Sequence, residues 1–314
     1  MFRIDRLPPV PEQSQHFANC GSEEIRNVAK LGAITSNISQ DLEYALAVML
    51  DHGLNYAELQ YVWDKEVGDL DDAEVSRAQR LIAQYQVKVC CISRHIFAGL
   101  LVGQTEVGEE AHNRQMMALR RCIDMAKALS CGLVRIMSFR REMILFGSGG
   151  AEIWNVTKGA WDKLKLLLTP AIELAEDQGI TLVVETGNNG MINSGYLAKK
   201  LIDELGCQHL RILWDPANSL YSNERAYPDG YEAVHGYLAH IHLKDCRVDI
   251  PKASVDQCRF GDGQMARYFE EIARALARNN YQGVAALEGV YQPAGKTFED
   301  GFRASVSEFK RIFG

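Results

Sequence analysis

Eight short apolar runs recur along this chain, and a segment with helical periodicity separates almost every pair of them. No other feature constrains the fold as tightly. Runs that are apolar on both faces read as strands of a parallel sheet, and parallel neighbours need a crossover connection. The runs are 31–36 (LGAITS), 55–60 (NYAELQ), 87–93 (VKVCCIS), 133–138 (LVRIMS), 181–185 (TLVVE), 211–215 (RILWD), 239–243 (AHIHL) and 284–288 (VAALE). Helices are expected over 41–52, 72–84, 114–129, 161–177, 196–205, 265–279 and 301–313. Pro170 should kink the fourth or split it in two. Gly or Asn in HGLN, CGL, QGI and NNYQG supplies the left-handed stop before a strand.

Eight βα units in series predict an α/β protein with a closed (β/α)8 barrel over residues 31–314 as one domain. An open doubly wound sheet would carry a glycine-rich turn after its first strand. Here that turn reads SNISQD, which argues against a dinucleotide site. Residues 1–30 are expected to be an arm on the barrel surface. The stretch 139–158 is expected to be an active-site lid, with GSGG as its hinge.

Composition narrows the function. The formal net charge of −7 argues against a nucleic-acid partner. No apolar run approaches the roughly 20 residues of a membrane-spanning helix, and the N-terminus has no secretory apolar stretch. Eight cysteines without a CxxC pair read as free thiols, which predicts a cytoplasmic protein.

Barrels of this kind work at the C-terminal ends of their strands. Strands five, six and eight of the series end in Glu185, Asp215 and Glu288, and strand seven carries His240 and His242 near its end. Intervals of 30, 27 and 46 residues each allow one helical crossover. Period-two parity puts Val183 with Glu185, Leu213 with Asp215, and Ala286 with Glu288 on one face each. His242 is nearer the mouth than His240 and is the expected ligand. Singly, Asp215 reads as a helix cap and His242 as a core histidine. Jointly, three carboxylates and an imidazole converging on one mouth need a cation. The hard donor set predicts one divalent ion, Mn²⁺ first, with Mg²⁺, Co²⁺ or Zn²⁺ as alternatives. Such an ion would stabilise an enediolate, while Glu185 and Glu288 exchange the proton as a catalytic acid/base pair.

Further candidates surround this set. Lys244 should point to the same mouth, either to hold a substrate oxygen or to pair with Asp245 or Glu288. His95 and Arg94 follow the third strand, where His95 can reach substrate or act as a base. Glu58 and Gln60 end the second strand, and Trp63 follows, either against a sugar face or closing the core. Asn188 and Asn218 can donate to hydroxyl groups. Arg140 and Arg141 read as a solvated pair.

With these residues in hand, the chain resembles the sugar isomerase/epimerase superfamily of xylose-isomerase-like barrels, which includes ketose 3-epimerases, hydroxypyruvate isomerases and inosose dehydratases. AIELAEDQGITLVVETGNN, LRILWDPANSL, LAHIHLKD, GDGQM and GVAALEGVY carry the resemblance, from about residue 32 to the end. It implies metal ligation by Glu185, Asp215, His242 and Glu288, with the two glutamates moving the proton. Two positions depart from the family pattern. Asn218 stands where many members have histidine, and Val248 where the epimerases have arginine, with Arg247 one place earlier. Apurinic endonucleases share the barrel but carry additional ligands for three zinc ions, and this acidic chain is not expected to be one.

The expected activity is therefore a metal-dependent isomerase or epimerase of a sugar, keto-sugar or sugar acid. A lyase on the same scaffold, losing water, CO₂ or an aglycone, is the alternative. A non-catalytic barrel subunit is a third reading, disfavoured by the intact ligand set. A small carbohydrate or sugar acid is the expected partner, and pairing into a homo-oligomer is a further expectation.

Overall fold

A computed structural model describes residues 28–141, 159–252 and 254–314. Its strands, in chain order, are β1 (Lys30–Ile34), β2 (Tyr56–Leu59), β3 (Tyr61–Val62), β4 (Lys65–Glu66), β5 (Lys88–Ile92), β6 (Leu133–Ile136), β7 (Thr181–Glu185), β8 (Leu210–Trp214), β9 (Leu238–Leu243), β10 (Asp245–Asp249), β11 (Ser254–Cys258) and β12 (Val284–Leu287). Eight of them close into a parallel barrel in the order β1-β12-β9-β8-β7-β6-β5-β2. All eight fall on the apolar runs read from the sequence. Of the expected arm only residues 28–30 are described, and Lys30 already belongs to β1. Of the expected lid, 142–158 lies outside the described residues.

The helices start where their caps dictate. Asp41 accepts from the Tyr44 N–H to begin Leu42–Asp51. Asp71 and Glu74 form a reciprocal capping box that begins Asp72–Tyr85. Thr297 and Asp300 do the same for Phe298–Phe313, which begins a turn earlier than its apolar period suggests. Pro170 does not split its segment: Ala160–Gln178 is one helix. Pro170 removes a donor from the turn holding Leu166, and Leu166 is 59% exposed, so water can replace that hydrogen bond. Gly53, Gly179 and Asn280 adopt positive φ as expected, whereas in SCGL it is Ser130, with φ 54°, that makes the turn.

Apolar and polar side chains share the barrel interior, with Cys91 in register with Glu58, Val183 with Arg135, and Leu213 with His240. Cys91, Val183 and Leu213 form a small buried cluster inside the strands. The larger core, including Leu46, Leu119, Leu168, Leu201, Phe269 and Phe309, lies between strands and helices. The seven described cysteines are free, and five of them are buried. No described helix is long and apolar enough to cross a membrane.

Two hairpins and a short helix elaborate the mouth. The antiparallel pair β3–β4 follows β2, and β10–β11 follows β9. Asp245, at the start of β10, is buried and accepts from the backbone N–H groups of Cys246, Gly261, Gly263 and Met265 at 2.8–3.1 Å. A side chain at Gly263 would collide with that carboxylate, so this close approach requires glycine.

Candidate metal centre

Strand register brings the four expected ligands to one wall. Leu213 pairs with His240 and Ala286 with His242. Two residues on along each strand, Asp215 therefore stands level with His242, and Glu288 one pleat beyond it. Ligand atoms of Glu185, Asp215 and His242 lie within 4.8 Å of one another, and all three residues are buried. Glu288 Oε2 lies 3.9 Å from His242 Nδ1, and Glu185 Oε1 lies 3.6 Å from it.

Asp215 serves two ends at once. Its Oδ1 accepts from the N–H groups of Ala217 and Asn218 and caps the helix Pro216–Tyr221. Its Oδ2 faces Lys244 Nζ at 2.6 Å but makes no well-directed hydrogen bond. Cap and ligand are rival readings of the sequence: Oδ1 makes the cap, which leaves Oδ2 as the oxygen that a metal ion would take.

His242 is oriented by Glu58. Glu58 Oε1 lies 2.8 Å from His242 Nε2, and Oε2 lies 2.6 Å from His240 Nε2. Ser93 Oγ also donates to Oε1. These groups are all fully buried. With Nε2 committed to a carboxylate, Nδ1 is left to face Glu185, Asp215 and Glu288. Among the buried polar atoms it has no hydrogen bond. Glu58, His240 and His242 also come close enough to form a ligand group, but they already satisfy one another through Nε2.

Charge explains the protonation pattern. Burial raises the Glu185 pKa, but the Arg135 charge and His242 outweigh it and bring it down to about 2. Arg135 Nη1 donates to Glu185 Oε2 at 2.9 Å, and both side chains are buried. Burial pushes Asp215 up to about 6: Lys244 opposes this, and the nearby Glu288 and Glu185 charges add to it. Burial opposes a charge on His242, yet Glu58 and Glu185 hold it protonated well above the usual range. Burial likewise opposes a charge on Lys244, and Asp215, Glu288 and Glu185 overcome it. Basic side chains thus balance the carboxylates. The orphaned His242 Nδ1, ringed by acidic oxygens, is what a divalent cation needs, so these residues fit one.

A cavity of about 460 Å³ opens over this wall, lined among others by Gln60, His95, Arg135, Asn188, Asn218 and Lys244, together with Glu185 and Glu288. A larger hollow of about 700 Å³ lies at the other end of the barrel, beside Lys30, Tyr56, Lys88 and Val284, the first residues of strands or nearly so. Of the four expected ligands, Glu185 and Glu288 line the smaller one, whereas Asp215 and His242 are fully buried and do not line it. Asn218 Nδ2 donates to the Thr186 carbonyl at 2.8 Å. Lys244 pairs with Glu288 at 2.8 Å. Trp63 and Arg247 do not line the cavity. The Arg77 guanidinium stacks 4.2 Å from the centre of the Trp63 ring, and Arg247 donates to the Asp262 carbonyl at 2.6 Å.

Sequence reasoning passed over Arg135 and gave Glu58 no role. Each is a lone charge inside an apolar run, LVRI and YAEL, with inward parity. That is the available signal for both, because an unpaired charge would not survive there.

Comparison with known proteins places this architecture. Residues 46–311 match the family described as xylose isomerase-like TIM barrel. An inosose dehydratase of Clostridium botulinum is 27% identical over 156 residues, 46% of this chain and 49% of that protein. An inosose dehydratase of Bacillus anthracis is 28% identical over 154 residues, 44% and 50% of the two chains. This chain thus spans about half the length of the curated relatives it matches. The solved 3-keto-D-glucoside 4-epimerase YcjR from E. coli superposes with a TM-score of 0.66 at 16% identity, covering 90% of this chain and 99% of that one. A D-psicose 3-epimerase crystallised in the presence of D-fructose gives 0.68 at 13% identity, covering 91% and 99%. A barrel protein from Mycobacterium smegmatis in complex with magnesium gives 0.60 at 14%, covering 87% and 89%. With the family match running over most of its length, the chain belongs to the xylose isomerase-like TIM barrel family.

Proposed function

We propose that this protein is a divalent-metal-dependent enzyme that moves a proton at the carbon beside the carbonyl of a keto-sugar or related polyhydroxy ketone. One observation carries the reading: among the described residues, buried His242 Nδ1 has no hydrogen bond and sits among Glu185, Asp215 and Glu288, of which the two glutamates line a cavity. Those four residues would hold the ion. When bound, it supplies positive charge that orients two neighbouring substrate oxygens and stabilises the negative charge developing on them.

The chain's own residues do the rest. Glu185, kept ionised by Arg135, is available to accept a proton. Glu288, at the end of the next strand but two around the barrel, is the partner that returns it. Return to the same carbon from the other face gives an epimer, and return to the neighbouring carbon gives an isomer. Lys244, Asn188 and Asn218 line the cavity and supply donors for substrate oxygens. Manganese is the first choice of ion for this donor set, with magnesium next. A second reading, loss of water after the same proton abstraction, is favoured by the inosose dehydratases among the relatives.

The test is hydrogen exchange. Manganese-loaded protein incubated in D₂O with inosose, D-fructose and other polyhydroxy ketones should introduce deuterium beside the carbonyl of at least one of them. Glu185→Gln and Glu288→Gln should each slow this by about 100-fold or more. Absence of exchange across the panel would overturn the reading.

A further inference from the structure

His95 stands three residues after β5, and β5 is four places from β9 in the ring of eight. It therefore rises from the wall opposite His242, and it lines the same cavity as Glu185 and Glu288. His95 is anchored on its own side. Glu66 Oε1 accepts from the His95 backbone N–H at 3.1 Å and lies 3.0 Å from ring Nδ1. Glu66 Oε2 faces the Arg94 guanidinium at 3.3 Å, and Arg94 in turn pairs with Asp69 at 2.7 Å. Burial raises the Glu66 pKa, but the His95 hydrogen bonds and Arg94 bring it below its ordinary value. The other ring nitrogen, Nε2, lies 3.1 Å from the Gln60 side-chain amide, and Gln60 also lines the cavity. That amide can present either end, so it accommodates both neutral and protonated imidazole. The His95 side chain is 40% exposed, open enough to exchange a proton with water.

Epimerisation needs two proton-moving groups, and Glu185 and Glu288 already supply them. An oriented imidazole across the cavity is surplus to that reaction. Elimination needs such a group, because hydroxide is a poor leaving group and must depart as water.

We propose that His95, oriented by Glu66, is the acid that protonates a departing hydroxyl, so that this centre eliminates water from a β-hydroxy ketone. The proposal rests on the proton abstraction assigned above to the glutamate pair. One of those carboxylates takes the proton beside the carbonyl, and the C–H electron pair becomes the new C=C bond. The C–O bond to the β-hydroxyl breaks and its electrons stay on oxygen. That oxygen takes the Nε2 proton of the imidazolium and leaves as water. His95 keeps its Nδ1–H on Glu66 and regains a proton from solvent, and the carboxylic acid returns its own. The sum is a polyhydroxy ketone converted to an unsaturated ketone and water, with no oxidant or reductant.

The experiment follows exchange and water loss together, on manganese-loaded protein in D₂O, with inosose and with its analogue carrying fluoride in place of the β-hydroxyl. The intact protein should do both. His95→Gln should cut water loss by about 100-fold or more while exchange beside the carbonyl persists. Glu66→Gln should shift the same ratio in the same direction by less, and it serves as the second variant if His95→Gln does not fold. On the fluoro analogue both variants should match the intact protein, since fluoride leaves without a proton. Parallel loss of exchange and elimination, or retention of both, would overturn the role of His95. So would an intact protein that exchanges deuterium without ever releasing water, a result that leaves the proton abstraction standing. No exchange at all would remove that abstraction and the present proposal with it.

Discussion

Lys244 Nζ stands 2.6 Å from Asp215 Oδ2, and the same ammonium lies 2.8 Å from Glu288 Oε2. An internal cation thus touches two of the oxygens proposed to receive a metal ion. It would stabilise the metal-free protein and compete with a metal ion held there. Lys244→Met should therefore lower the stability of metal-free protein by roughly 3 kcal/mol, because it leaves buried carboxylates unpaired. Manganese should restore much of that loss and should bind more tightly than to the parent protein. Urea melts with and without manganese, together with titration calorimetry, read both quantities. Weaker manganese binding would show that Lys244 supports the ion instead of opposing it.

Chelation should destabilise the loaded protein. An ion at about 100 times its dissociation constant contributes roughly 2.7 kcal/mol, so EDTA should lower Tm by several degrees and manganese should restore it. His242→Gln removes the donor that has no other partner, and its Tm should respond to neither reagent.

Glu58 decides which nitrogen of His242 is free. Glu58→Gln replaces one acceptor oxygen with a donor and sets an N–H against one imidazole N–H. Manganese affinity should fall by about 10- to 100-fold, although Glu58 is not one of the four residues proposed to hold the ion. Calorimetry checks this, and unchanged affinity would show that His242 does not depend on Glu58.

Proton release should depend on pH in two stages. At pH 7 an entering ion displaces the proton that Glu58 and Glu185 hold on His242 despite burial. Below about 6 it must also displace one from Asp215, which burial raises to that value. Calorimetry in buffers of different ionisation enthalpy should find about one more proton released at pH 5 than at pH 7.5. Stability of the metal-free protein follows from the same shifts with opposite signs. Asp215 lies above its ordinary value of 3.8, so its contribution is full below that pH and is lost as pH rises through 6. Glu185 lies below its ordinary value of 4.5, so its contribution is full above that pH and is lost as pH falls through about 2.

Gly263→Ala should destabilise the protein by roughly 1–3 kcal/mol, by forcing a methyl group against the buried Asp245 carboxylate. Thermal or urea unfolding measures it. Lys244 is the residue before Asp245, so the variant should also tighten manganese binding if the lysine is displaced, as Lys244→Met does.

The sequence by itself determined the eight strands, their parity and the residues at their ends. Periodicity is local, and a strand apolar on both faces can be recognised without its neighbours. Glu185, Asp215, His242 and Glu288 were legible as one group for that reason: each is the last or next-to-last residue of such a run, and the C-terminal ends of parallel strands share one rim. Which charges meet across the barrel was decided by closure alone. Glu58 and His242 are 184 residues apart, and Arg135 and Glu185 are 50 apart. Lys244 was read as facing the mouth, but its grip on Asp215 depends on the register between β8 and β9. The pairing of His95 with Glu66 depends on the β3–β4 hairpin, too short to leave a periodic signal. The physical reason is common to these pairs. Spacing along a strand fixes the face a side chain takes, whereas its partner is set by how far the ring of strands turns before it closes.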